Sequence, residues 1–290
     1  MKVAIIGSGP AGLSASLYTV RAGVETVVFE GKTRGGLPTT TERVDNYLGL
    51  PGVEGVDMAN IFLDHAKKLG VSFVPDTVLE IDKTAEGFVV KTADENFLFD
   101  AVVYAAGSTP KKLGIPGEEL EGVSYCATCD GAFSSGEIVS VVGGGETAVE
   151  DALYLSDIAS QVNVFVRGGF RASEPAVERL AARPNVKIWL NTQLSHIRGE
   201  GAVEKVVLHT GEELSSYSVF VCVGQNPESA VVSRHAHVRD DLFITESRVP
   251  GLFVAGDIIN PDYRQIAVAV GDGAKAGIDV VKWLQENRKV

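Results

Sequence analysis

Cys126 and Cys129, separated by two residues, are the side chains best suited to do chemistry. Such a spacer in a tight turn or at a helix start brings two sulfurs within bonding distance, so the pair can cycle between dithiol and disulfide. The same spacing also serves zinc, but a tetrahedral site needs two further ligands. The third cysteine, Cys222, lies in an apolar run between Val221 and Val223 and is expected to be a small core residue. His235 and His237 have no cysteine or acidic partners in a metal-binding pattern and are expected at the surface. No metal is expected, and the pair is read as a redox couple. Three cysteines are also too few, and odd in number, for a secreted disulfide scaffold.

The elements that must position this pair are marked by glycines. Val3-Ala-Ile-Ile-Gly-Ser-Gly-Pro-Ala-Gly12 and Val139-Ser-Val-Val-Gly-Gly-Gly-Glu-Thr-Ala148 are each a β-branched run entering G-x-G-x-x-G/A. The first predicts a helix from Ala11 to Arg21 and a strand from Thr26 to Phe29. The second predicts a helix from Thr147 to Leu155 and a strand from Val162 to Val166. A lone fingerprint is weak evidence. At a strand-to-helix junction, however, backbone N–H groups and the helix N-terminus hold a pyrophosphate. Each copy is echoed by a later apolar strand ending in glycine, Asp100 to Gly107 and Tyr217 to Gly224, so the chain is an internal duplication of nucleotide-binding units. Alternating segments such as Gly87 to Thr92 and Val203 to His209 predict small antiparallel layers. A last strand from Val249 ends in Gly256-Asp257, placing an acid at the carboxyl end of a parallel sheet, where ligands bind.

The bulk properties agree. A chain of 290 residues suggests two domains, at roughly 150 residues each. With 45% hydrophobic and 22% charged residues it is an ordinary folded chain. The 26 Lys+Arg against 38 Asp+Glu, a net charge of −12, argue against a nucleic-acid surface. Val3 to Val20 is uncharged, but Gly7, Ser8, Gly9 and Pro10 break it, so neither a membrane span nor a signal peptide is expected and the protein is read as cytoplasmic.

These residues resemble the low-molecular-weight thioredoxin reductases of the pyridine nucleotide-disulfide oxidoreductases. The matching segments are GSGPAG at 7–12, Gly35-Gly36 and Thr39 to Thr41, Asn46, CATCDG at 126–131, GGGETA at 143–148, AGD at 255–257 and YRQ at 263–265. The resemblance implies an α/β fold of two three-layer, Rossmann-like domains, the second inserted into the first. Residues 1–113 and 244–290 would form an FAD-binding domain, and 114–243 an NADPH-binding domain carrying the cysteines. It also implies a homodimer and a thioredoxin-like protein as substrate.

By the same resemblance, FAD is held by Gly7, Gly9, Pro10, Ala11, Gly12, Glu30, Gly36, Leu37, Thr41, Asn46, Val78, Gly107, Asp257, Arg264, Gln265 and Ile266. NADPH is held by Gly143, Gly145, Glu146, Thr147, Arg167 and Arg171. The residues support this sorting: Glu30 ends the second strand of the first unit, where an acid accepts from a ribose 2′-OH, whereas Val166 and Arg167 stand at the matching place in the second, with Arg171 nearby to suit a 2′-phosphate. Glu146 is expected to weaken anion binding there. Cys129 is implied to be the sulfur nearer the flavin, Cys126 the attacking thiol, and Asp130 the acid and base that manages the thiol proton. Two departures stand out. Leu37-Pro38 replaces the family's Gln-Leu, and Val166 to Arg171 replaces a longer His-Arg-Arg loop.

Two readings compete on the same fold: a dithiol oxidase passing electrons to oxygen, and a reductase drawing on a donor such as ferredoxin. A non-catalytic flavin-binding protein is disfavoured by the intact cysteine pair. One CxxC cannot face a buried flavin and a protein substrate at once, so a domain rotation is expected, with Leu113 and Asp240 to Phe243 as hinges. The assignment of sulfur roles is testable by spectroscopy. Cys126→Ser should show a long-wavelength charge-transfer band from a Cys129 thiolate to oxidised flavin, and Cys129→Ser should lack it; the opposite pattern would exchange the two roles.

Overall fold

In a computed structural model, residues 1–41 and 43–287 are described. The chain divides into two compact units, Met1–Thr109 with Asn226–Val290, and Pro110–Gln225.

In the first unit five parallel strands lie in the order Leu252–Val254, Ala101–Tyr104, Lys2–Ile6, Glu25–Phe29, Ser72–Val74. Their runs are apolar without a polar alternate because both faces are covered. Val3, Ile5 and Val28 point toward the helices Pro10–Arg21, Gly55–Lys68 and Ile266–Glu286. Ala4, Ile6 and Phe29 point the other way, into a core shared with Ile81, Phe88 and Phe99 of the antiparallel sheet Glu80–Lys83, Phe88–Lys91, Asn96–Phe99. This gives three layers. The register sets Ile6 opposite both Phe29 and Tyr104, so the carboxyl ends of the central strands finish together at one edge.

The second unit repeats the plan. Its parallel order is Val186–Leu190, Gln161–Val166, Ile138–Val142, Ser218–Val221, Val123–Ser124. Helices Glu146–Ser156 and Glu174–Ala181 cover one face. The antiparallel sheet Leu194–Arg198, Lys205–Leu208, Glu213–Ser215 covers the other. The fold is α/β with two Rossmann-like units. Among the described residues no helix is long and apolar enough to cross a membrane.

The chain passes between the units at Thr109–Pro110 and Gln225–Asn226, in strands Ser108–Pro110 and Gln225–Pro227 that pair with each other. The first crossing lies close to the expected Leu113. The second lies well before the expected Asp240 to Phe243, because residues 226–243 bond into the first unit. Glu228 N donates to Gly107 O at 3.1 Å, Tyr104 Oη donates to Glu228 O, and Arg234 pairs with Glu80 at 2.5 Å. Strand Ala236–Val238 pairs with Ile244–Ser247. His235 is thereby half-buried, its Nε2 2.8 Å from Ile81 O, rather than a surface residue.

The two helices that flank the first fingerprint touch through glycine. A Cβ on Gly273 would lie 2.0 Å from Ala11 O, and one on Gly277 2.7 Å from Ala15 O; Ser14 Oγ donates to Val270 O at 2.7 Å. Gly273→Ala should therefore destabilise the protein by about 1–3 kcal/mol through overpacking, which outweighs the gain of roughly 1 kcal/mol in helix propensity. Gly271→Ala in the same helix meets nothing within 4 Å, so it should be neutral or stabilising. Urea unfolding of both variants checks this, and equal effects would refute the packing argument.

Candidate active site

Cys126 and Cys129 form a disulfide with Cα atoms 5.3 Å apart. Cys126 is extended and immediately precedes the helical turn Ala127–Asp130, whose first bonds run from Cys129 N and Asp130 N to Cys126 O at 3.2 and 3.1 Å. The turn sets the two sulfurs side by side. Ser124, buried at the end of the edge strand Val123–Ser124, organises what surrounds them. Its Oγ donates to Asp130 Oδ2 at 2.6 Å and accepts from Cys126 N at 3.0 Å. Burial pushes the Asp130 carboxyl up from the ordinary carboxylate range, and the Ser124 hydroxyl opposes that shift by stabilising the anion. Half-buried, with a raised affinity for protons and one residue from Cys129, Asp130 is suited to exchange a proton with a thiol.

In the first unit the glycine turn and Glu30 directly follow the ends of strands Lys2–Ile6 and Glu25–Phe29. Gly7 has φ of 109°, and a Cβ there would lie 2.4 Å from Ala105 O. A Cβ on Gly12 would lie 1.9 Å from Gly7 O, so the turn closes only with glycine at both places. Gly9 caps the helix opened by Pro10, and a Cβ on Gly36 would meet Gly9 Cα at 2.8 Å. Ser8 Oγ joins the segments, donating to Glu30 O and accepting from Gly35 N, both at 3.1 Å.

Glu30 is buried, and its Oε1 has no hydrogen-bond partner. Arg34 Nε lies 2.8 Å from that oxygen as an ion-pair contact, but its N–H is not aligned on it. An orphaned buried acceptor at the end of the second strand fits a ribose hydroxyl, and the glycine turn beside it fits a pyrophosphate.

Leu37 opens a 3-10 turn, Leu37–Thr40, whose Pro38 is buried, and Thr41 O accepts from Gly55 N at 3.1 Å. Asn46 Nδ2 donates to Gln265 Oε1 at 3.2 Å, and Gln265 caps the long helix beginning at Ile266. Gly107 has φ of 73° with open space beside it, and Val78 is buried in the core. Gly256 abuts Ala11, where an added Cβ would lie 2.7 Å from Ala11 Cβ. Burial raises the Asp257 carboxyl to about 6, Asp272 adding to the rise and Arg264 opposing it.

In the second unit Gly143 repeats the role of Gly7, with φ of 153° and its missing Cβ 2.3 Å from Cys222 O. Gly145 caps the helix that starts at Glu146 and Thr147. Arg167 and Arg171 are exposed and, among the described residues, form no ion pair. Arg171 N donates to Gly144 O at 2.7 Å. Cys222 packs against the helix-side core of the second unit, as expected, but is only half-buried, just past Ser218–Val221, with Sγ 3.1 Å from Asp151 Oδ2.

The family of pyridine nucleotide-disulphide oxidoreductases matches residues 1–273. The chain belongs to this family. Flavin and nicotinamide nucleotide binding follow for it at that level. A thioredoxin reductase of Spironucleus barkhanus is 36% identical over 98% of both chains. One of Mycolicibacterium smegmatis is 38% identical over 98% of this chain and 96% of its own. The crystal structure of the Streptococcus pyogenes thioredoxin reductase superposes with a TM-score of 0.93 at 34% identity, covering 98% of each.

Three polar residues of this oxidoreductase went unread in the sequence. Ser124 has no motif of its own, and its only signal is standing two residues before Cys126. Glu118 looks like one acid of a solvated run, yet Oε1 accepts from Leu113 N and Tyr125 Oη at 2.7 and 2.9 Å, and Oε2 from Gly114 N at 2.8 Å. That carboxylate ties the start of the unit to the residue before Cys126. Asp151 is the third, its Oδ2 lying 3.1 Å from Cys222 Sγ, 71 residues along the chain.

The Ser124 contact has a defined sign. Because the hydroxyl lowers the proton affinity of Asp130, Ser124→Ala should move the Asp130 titration to higher pH, extending the protonated form upward. Difference infrared spectroscopy of the carboxyl band across pH checks this; a shift to lower pH would show that Ser124 stabilises the neutral acid instead.

Proposed function

We propose that this protein is a thioredoxin-disulfide reductase, carrying electrons from NADPH through FAD and the Cys126–Cys129 disulfide to thioredoxin or a thioredoxin-like protein. The observation that carries the reading is the disulfide itself, set beside a half-buried Asp130 on a unit with its own dinucleotide turn. Full-length similarity to thioredoxin reductases supports the substrate class. A cytoplasmic homodimer is part of the same reading.

FAD fits the first unit through the Gly7–Gly12 turn and the orphaned Glu30 oxygen, and NADPH the second through Gly143, Gly145 and the arginines. Bound flavin supplies two-electron exchange between a nicotinamide and a disulfide. Opening the Cys126–Cys129 bond takes up two electrons and two protons. Cys129 faces the electron source, and Asp130 delivers a proton to the released thiolate and later recovers one. Cys126 then attacks the substrate disulfide to form a mixed disulfide, and Cys129 displaces the substrate as its dithiol, restoring the bond. Ser124 holds Asp130 and the Cys126 backbone in register throughout.

The electron donor is the most informative quantity to measure. Anaerobic titration should bleach the flavin with NADPH at lower concentration than with NADH. Arg167→Ala and Arg171→Ala should each weaken NADPH by roughly one to two decades, the size of a charge-assisted bond. If neither nucleotide reduces the flavin and ferredoxin does, the donor is a low-potential protein. If oxygen closes a small dithiol at the cysteines faster than thioredoxin is reduced, the enzyme is an oxidase.

A further inference from the structure

Glu146 opens the fingerprint helix of the second unit, where a carboxylate ordinarily repels a bound pyrophosphate. The side chain is turned elsewhere. Oε2 accepts from Ser173 N at 2.8 Å and Oε1 from Ser173 Oγ at 2.9 Å. These two bonds, with a smaller contribution from Arg179, hold its carboxyl below the usual range, so it stays ionised at neutral pH. Ser173 is the residue that caps helix Glu174–Ala181. The segment between strand Gln161–Val166 and that cap therefore has both ends fixed, and its middle is fixed as well by Arg171 N on Gly144 O at 2.7 Å. Gly144 itself has no room for a side chain, since a Cβ would meet Val166 Cγ1 at 2.7 Å and lie 3.6 Å from Gly169 O.

We propose that Glu146 is a positioning residue for recognition of the 2′-phosphate: its clasp on Ser173, with the Arg171–Gly144 bond, holds Arg171 over the dinucleotide turn. This rests on the reading of the second unit as the NADPH site. A short loop containing Gly168 and Gly169 has high backbone entropy, and its arginines would spend much of the time away from one geometry. Two charge-assisted bonds from one carboxylate restrict that freedom without touching the ligand. The carboxylate expected to oppose anion binding instead supports it, because its charge is spent on the neutral donors of Ser173.

Calorimetric titration of the flavin-loaded full-length protein with adenosine 2′,5′-bisphosphate and with adenosine 5′-monophosphate separates these ideas. The parent should bind the bisphosphate more tightly by roughly one to two decades. Glu146→Ala and Ser173→Ala should each reduce that preference about tenfold, with the monophosphate little changed, and Glu146→Gln, which keeps an acceptor, should restore part of it. In an Arg171→Ala background, Glu146→Ala should have no further effect. The proposal is overturned if Glu146→Ala tightens both ligands, which is simple charge repulsion, if it weakens both equally, which is a general structural role, or if its effect adds to that of Arg171→Ala. A parent without any 2′-phosphate preference overturns the NADPH reading itself and the clasp with it; a parent preference that survives Glu146→Ala overturns the clasp alone.

Discussion

Everything in this protein depends on how closely the backbone must fold on itself where a parallel strand turns into a helix. At the first turn the gap between Gly12 and the Gly7 carbonyl is narrower than any side chain, and at the second the same holds between Gly143 and the Cys222 carbonyl. Glycine removes the Cβ and allows the positive φ that the turn requires. With the turn closed, the N-terminal ends of helices Pro10–Arg21 and Glu146–Ser156 point past the ends of the strands, each capped by a glycine with no side chain to compete for their N–H groups. The apolar layers on both sides of each sheet then hold the turn rigid, since Val3 and Ile5 are anchored in one core and Ala4 and Ile6 in another.

The redox pair is built on a different balance. Asp130 is withdrawn from water, which disfavours its charge, but it is not left alone: one hydroxyl from Ser124 compensates part of that cost. The two effects oppose each other: burial raises the proton affinity of the carboxyl and the neutral donor lowers it. The same hydroxyl also receives Cys126 N, so the acid and the disulfide are held by one side chain.

Much of this was legible in the sequence, and the reason is locality. Fingerprint glycines, strand runs and the cysteine spacing each state a requirement met within a dozen residues, so the two glycine turns, the strands and helix beside each, and the close approach of the two sulfurs could be read directly. What was missed depends on partners far along the chain. Residues 226–243 are assigned to the first unit by contacts with Gly107, Ile81 and Glu80, more than a hundred residues away, and the resemblance placed the crossing too late. The sequence neighbours of His235 carry no sign of its partner, since its imidazole is bonded to Ile81 O, 154 residues away. Ser124 and Glu118 carry no signal because serine and glutamate are common on surfaces and nothing in their spacing distinguishes a structural donor or acceptor from a solvated one.

The two units show how one architecture can carry opposite electrostatics. In the first, the acid at the end of the second strand is buried, with one oxygen in an ion pair to Arg34 but accepting no hydrogen bond, which suits a hydroxyl and would repel a phosphate. In the second, Val166 stands at the strand end and exposed arginines follow it, while Glu146, at the start of the fingerprint helix, is committed to Ser173. Neither change disturbs a residue that closes the turn. A duplicated fold can therefore diverge in ligand at its strand ends while the glycines between strand and helix stay as they are: the first place is under a charge constraint and the second under a steric one.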